Sequence, residues 1–293
     1  MTAVEFLRLL LFENKITDKS PEFDGLCARR GEIEAVLRGA FFRPAPSIRH
    51  GGSRAKDTMV GVSYDLDMTC YFPCEDPRSL EEIHGDVKSA LDGQGYRTLE
   101  KTSAIRVHGH DDADFHVDVV PGRFFDESRT DVWLHRTQGT KERLKTNLDV
   151  HVGYVKGSGV KDSICLMKLW RHRFALQSLR TFALELVTIK LLNGWAGSDL
   201  DAQLWHLFEE LEAQADSIAI EDPANANNDV SALLDAGLRG QLRAAARQTL
   251  DAVAQGGWQR VFGPLRADEQ TKRRSMAAAV GATTVRTKPW LPR

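Results

Sequence analysis

The chain has 293 residues, of which 42% are apolar and 27% charged, enough for one large domain or two lobes sharing a core. Its formal net charge of -2 excludes a polycation that grips long nucleic acid with its whole surface, while leaving a local basic face open. No apolar run approaches the roughly 20 residues needed to span a bilayer, so no membrane partner is expected.

The N-terminal run Phe6-Leu7-Arg8-Leu9-Leu10-Leu11-Phe12 is short, holds an arginine, and is soon followed by Glu13 and Lys15. It reads as the buried face of a first helix and not as a signal peptide. Ser20-Pro21 opens a second helix, with Phe23, Leu26, Ile33, Val36, Leu37, Ala40 and Phe41 at helical spacing. Arg43-Pro44-Ala45-Pro46 ends it, because proline cannot continue the helical ladder. A glycine turn and a strand from Tyr64 to Phe72 follow, then a helix over Leu80–Leu91 and strands at Ala104–His108 and Phe115–Val119. After residue 160 the apolar spacing becomes helical throughout, as in Ile164, Met167, Leu169, Trp170 and Phe174. The expected fold class is therefore α/β (α+β): a lobe with a mixed sheet over residues 1–160, then a helical lobe over 161–275. Residues 276–293 read as a loosely held tail. Cys70 and Cys74 are four apart, which on a strand would put both on one face and admit a zinc site. Reduced thiols in a cytoplasmic protein are the stronger expectation.

Charge is unevenly spread. Arg136–Arg180 holds ten Lys or Arg against three acids, and Leu191–Leu238 holds no Lys or Arg. The basic block follows directly on the acidic motifs, where a polyphosphate would need counter-charges, although much of it also fits a solvated helix face.

The chemistry concentrates in Gly51-Gly52-Ser53-Arg54-Ala55-Lys56-Asp57-Thr58, followed by Asp65-Leu66-Asp67. Glycines let backbone N–H groups approach phosphate oxygens, and a serine hydroxyl adds a donor. On a strand Asp65 and Asp67 project from one face while Leu66, Met68 and Cys70 pack the other. Two such carboxylates repel unless a divalent cation lies between them, and Mg²⁺ prefers oxygen ligands. Further on, Phe115-His116-Val117-Asp118-Val119-Val120-Pro121 sets one aspartate in an apolar strand, where an unpaired charge is costly. Three carboxylates on adjacent strands can hold two metal ions about 3.5–4 Å apart for in-line phosphoryl transfer.

These pieces resemble the polymerase-β nucleotidyltransferases, and among them the cGAS/DncV-like nucleotidyltransferases (CD-NTases) and oligoadenylate synthetases. The helical half adds Leu166-Met167-Lys168-Leu169-Trp170 and Gln177-Ser178-Leu179-Arg180-Thr181-Phe182-Ala183-Leu184-Glu185-Leu186. Asp222-Pro223-Ala224-Asn225-Ala226-Asn227-Asn228 is similar to the family's Asp-Pro…Asn-Asn turn. The resemblance implies Asp65, Asp67 and Asp118 as catalytic residues and ligands of two Mg²⁺ ions, with Mn²⁺ able to substitute. It implies Gly52 and Ser53 against the nucleotide phosphates, and Lys168 and Ser178 reaching the triphosphate. The alternatives are a lysine on the solvated side of its helix and a serine acting as a plain helix N-cap. Asp57 departs from the family, which carries a glycine or small residue there. The zinc-binding insertion of the animal DNA sensor is absent, so activation by double-stranded DNA is not expected.

The function implied is synthesis of a cyclic di- or oligonucleotide second messenger from nucleoside triphosphates with release of pyrophosphate, in bacterial anti-phage signalling. Expected partners are those triphosphates, protein regulators, and a downstream effector that binds the product. An RNA-tailing enzyme of the CCA-adding kind shares three of the motifs and is the alternative. An inactive sensor or a nucleotidylating toxin follows behind it.

Overall fold

The computed structural model describes residues 1–62, 66–109 and 116–265. Asp65, the first residues of two expected strands (Tyr64 and Phe115) and the 276–293 tail lie outside the described residues.

Local signals set the first helices. Helix α1 (Ala3–Asn14) begins in a capping box, with Thr2 Oγ1 accepting from Glu5 N–H and the Glu5 carboxylate accepting from Thr2 N–H. Helix α2 (Pro21–Ala40) starts with proline at its first position. Strand β1 (Ser47–His50) follows the prolines, and the expected glycine turn is a short helix, α3 (Gly52–Lys56). Then come β2 (Leu66–Phe72), α4 (Leu80–Asp92), β3 (Arg97–Glu100), β4 (Ile105–His108), β5 (His116–Phe124), β6 (Val132–His135) and β7 (Arg143–Thr146). Helix α5 (Leu148–Gly157) leads into α6 (Lys161–Arg173), α7 (Thr181–Leu191), α8 (Leu200–Gln214), α9 (Ala236–Gly256) and α10 (Trp258–Phe262).

The strands form one mixed sheet in the order β1-β2-β5-β4-β3, with β6 pairing both β5 and β7. Only β2 and β5 run parallel; the other described pairs are antiparallel. Strand β5 continues through Pro121 to Phe124, further than the sequence suggests. Its pairing with β4 ends at Val119 and that with β6 begins at Arg123. Pro121 thus falls between the two described ladders on that edge, where neither pairing calls on its missing N–H.

Leu66, Met68, Cys70 and Phe72 of β2 are buried against α2 and α4 with Ile83, Val87 and Leu91. A separate helical core gathers α6 to α10 around Trp170, whose indole N–H donates to Thr249 Oγ1 at 2.8 Å. Phe6, Leu7, Leu10 and Leu11 of α1 belong to this second core, so α1 precedes the sheet in sequence but packs with the helices.

Candidate active site

Parallel pairing of β2 and β5 sets Asp67 directly opposite Asp118, and antiparallel pairing of β4 and β5 sets Arg106 opposite Asp118. Residues opposite one another share a sheet face, with neighbouring strands about 4.8 Å apart. Asp67, Asp118 and Arg106 therefore form a row across three strands. Asp118 is buried and accepts from Arg106 Nε at 2.9 Å and Nη2 at 3.1 Å, and from Lys101 Nζ at 2.6 Å. Burial acts to raise the Asp118 pKa, but the hydrogen bonds and charges of Arg106 and Lys101 prevail and hold it below the ordinary carboxylate range. Sequence reasoning missed these two cations. The one available signal was Arg106, a charge between the buried Ile105 and Val107.

The Gly-Ser element sits on this row. Gly51 N–H donates to the Asp67 backbone carbonyl at 2.8 Å. Gly52 has φ +47, and a Cβ there would stand 1.6 Å from Asp67 Oδ2. Glycine is required on both counts, conformation and close approach. Asp57 ends α3 in the left-handed region at φ 60, which accounts for the glycine usual there; aspartate is among the residues that tolerate it. Its carboxylate is turned to Lys161 Nζ at 2.8 Å and Lys15 Nζ at 3.7 Å. Its negative charge is thereby compensated.

Lys168 is only 1% exposed, so the alternative of a lysine on the solvated side of its helix does not hold. Its Nζ donates to Ser53 Oγ at 2.9 Å, Thr58 O at 3.0 Å and Thr58 Oγ1 at 2.8 Å, and stands 3.0 Å from Glu185 Oε1. Glu185, also 1% exposed, takes a second ammonium, Lys56 Nζ, at 2.6 Å. Burial acts to raise the Glu185 pKa, and the charges of Lys168 and Lys56 overturn it and lower it. Met167 and Trp170 do anchor the core as expected. Ser178 is exposed in the turn before α7. It is not that helix's N-cap, which is Arg180, so the plain capping alternative does not hold.

The Asp-Pro…Asn-Asn turn links the two halves. Asp222 bonds His151 Nε2 at 2.7 Å and accepts from Asn228 Nδ2 at 2.7 Å, while Asn225 Nδ2 donates to Lys145 O at 2.9 Å. The His151 ring lies 5.0 Å from that of Phe182, centroid to centroid.

The donor chemistry would suit a hard cation: Asp67 and Asp118 present carboxylate oxygens on one face. Among the described residues no cluster of three or more His, Cys, Asp or Glu could hold a metal ion, and Asp65, the expected third carboxylate, lies outside them. The Cys70–Cys74 pair does not share a strand face, because β2 ends at Phe72. Burial pushes the Cys70 thiol up to about 12. No described helix is long and apolar enough to cross a membrane.

No protein-family model matches the chain, and no curated protein does. Solved structures match across nearly its whole length. Vibrio cholerae DncV cyclic AMP-GMP synthase, in complex with nonhydrolyzable GTP, superposes with a TM-score of 0.73 at 14% identity, covering 89% of this chain and 94% of that one. The Bradyrhizobium diazoefficiens CD-NTase CdnG in complex with GTP gives 0.72 at 12% identity, covering 94% and 99%. E. coli MS115-1 CdnC, in a complex with HORMA-deltaN, gives 0.67 at 19% identity, covering 87% and 95%. The chain has the CD-NTase fold, a polymerase-β-type nucleotidyltransferase architecture.

Proposed function

We propose that this chain is a metal-dependent nucleotidyltransferase that joins nucleoside triphosphates into a cyclic di- or oligonucleotide with release of pyrophosphate. The observation that carries this reading is the seating of the Gly51-Gly52-Ser53 element on Asp67, with Asp118 opposite Asp67 in the sheet. That arrangement supports the reading, because a glycine-serine turn suited to phosphate and two carboxylates meet in one place. In this reading Asp65, Asp67 and Asp118 hold two Mg²⁺ ions, for which Mn²⁺ can substitute. Bound there, the ions supply charge neutralisation and lower the pKa of the attacking hydroxyl. The Gly52 backbone and the Ser53 hydroxyl bind phosphate oxygens, and Asp118 orients the attacking hydroxyl. Lys168 and Ser178 serve the triphosphate from the helical side. The lobes divide near residue 160.

Structures with this fold have been solved with GTP and with a HORMA protein. These support nucleoside triphosphates as substrates and a protein regulator as partner. We place the activity in bacterial anti-phage signalling in the cytoplasm, where an effector reads the product. Incubation with all four labelled triphosphates and Mg²⁺ or Mn²⁺, then phosphatase and mass spectrometry, tests this. A phosphatase-resistant small product made without added RNA is expected, because a ring has no terminal phosphate. Extension of an added tRNA alone would point to the tailing enzyme instead.

A further inference from the structure

We infer that Glu185 is a positioning residue: with Lys168 it fixes the Ser53 hydroxyl as an outward-pointing donor, so that Lys168 serves the triphosphate through Ser53. The inference deepens the proposed function and rests on it for the identity of the ligand.

The argument is one of proton counting. An ammonium has three protons and no lone pair, so every hydrogen bond it makes is a donation. Lys168 Nζ has four acceptors in reach: Ser53 Oγ, Thr58 O, Thr58 Oγ1 and Glu185 Oε1. Its protons are committed within the protein. Ser53 Oγ must accept from Lys168, and its own proton is therefore directed to a different acceptor. Ser53 is half-buried at the start of α3 and follows Gly52, the residue that the Asp67 carboxylate approaches closely. A phosphate oxygen arriving over this turn finds a hydroxyl already oriented to donate.

Charge supports the same conclusion. One carboxylate, Glu185, faces two ammonium groups, Lys56 at 2.6 Å and Lys168 at 3.0 Å, leaving one positive charge in surplus beneath the turn. All three side chains are at most 9% exposed, so water screens that charge little. Glu185 makes the cluster tolerable to bury and draws Lys168 into a single place. A lysine free to bind phosphate directly would need to leave Glu185, Thr58 and Ser53 together.

The test is a double-mutant cycle on the full chain with Ser53→Ala and Lys168→Met. The methionine keeps the stem and leaves Glu185 paired with Lys56. Calorimetry with inorganic tripolyphosphate and the KM for an equimolar triphosphate mixture are the readouts. Each single variant is expected to weaken tripolyphosphate binding and raise KM about tenfold, with kcat held. The double variant should be no worse than either alone, and Lys168→Met should do nothing further in the Ser53→Ala background. A merely structural lysine would lower activity equally in both backgrounds. Glu185→Asp, which withdraws the carboxylate by one methylene, should behave as Lys168→Met does in the same cycle, and it replaces that variant should the methionine protein not fold. A double variant about a hundredfold weaker overturns the inference, since Lys168 would then grip phosphate by itself. Absence of tripolyphosphate binding by the wild type overturns it too. Coupled binding without any nucleotide condensation would sustain the inference and remove the proposed function.

Discussion

The Gly-Ser turn lies between two ionic clusters of opposite design. On the sheet side, Asp67 and Asp118 lie in a row with Arg106, and Lys101, whose side chain is 38% exposed, completes the set. On the helix side, Lys56, Glu185 and Lys168 are closed off, and cations outnumber the acid. A pair that water can reach exchanges partners at little cost, whereas a buried pair strands a charge when it opens. The first cluster is suited to trade a lysine for a metal ion, and the second to hold one geometry throughout.

The largest test of that contrast is Asp67→Asn. It should reduce kcat/KM by at least about a thousandfold, about 4 kcal/mol of transition-state stabilisation. The melting temperature should hold or rise, because like charges are removed; a melting point that fell with activity would mean the carboxylate is structural. Glu185→Gln should do the reverse and act first on stability. Removing the carboxylate from a buried cluster costs about 3–5 kcal/mol, a fall in Tm of roughly 5–15 °C. The sign with pH follows from the lowered Glu185 pKa. Its contribution is present above the unfolded value of about 4 and is lost as pH falls through the lower folded value. The gap between wild type and Glu185→Gln, measured by denaturant melts, should therefore close below about pH 4, and a gap independent of pH would contradict the ionic role.

Lys101→Ala is a finer test. Asp118 keeps Arg106 but loses its more exposed partner, so the half-saturating Mg²⁺ concentration should fall about threefold with stability changed by less than about 1 kcal/mol. A rise in that concentration would show that Lys101 supports metal binding. Smallest of all, Arg173→Ala should leave KM and Tm within error, about 0.5 kcal/mol, because the residue is exposed at the end of α6. An effect equal to that of Lys168→Met would show that the two sides of α6 do not differ as described.

Much of the fold was readable along the chain. Capping residues, prolines and apolar spacing marked α1, α2, α4 and the helical half, because those signals act within one or two turns. Strands β1, β3, β6 and β7 escaped notice. Each is four residues long, too short for alternation to stand out, and β1, β3 and β7 also mix charged with apolar side chains, as in Arg143-Leu144-Lys145-Thr146. At the site, Gly52, Ser53, Asp67 and Asp118 were marked by residue type and order. Arg106, Lys101 and Glu185 were not, since a charged residue on a strand or helix usually faces water.

The sequence by itself determined which groups are available: a glycine-serine turn, acids on strands, and a lysine two residues before an apolar anchor, Trp170. Tertiary structure alone decided which of them meet. Asp67 stands opposite Asp118 because two distant strands pair in parallel at one register. Lys168 is buried because Ser53, 115 residues away, and Glu185 close over it, and Lys56 reaches Glu185 across 129 residues. Local pattern reports whether a side chain lies on the apolar or polar side of its own element. Whether the polar side then meets water or another buried charge depends on contacts that only the folded chain makes.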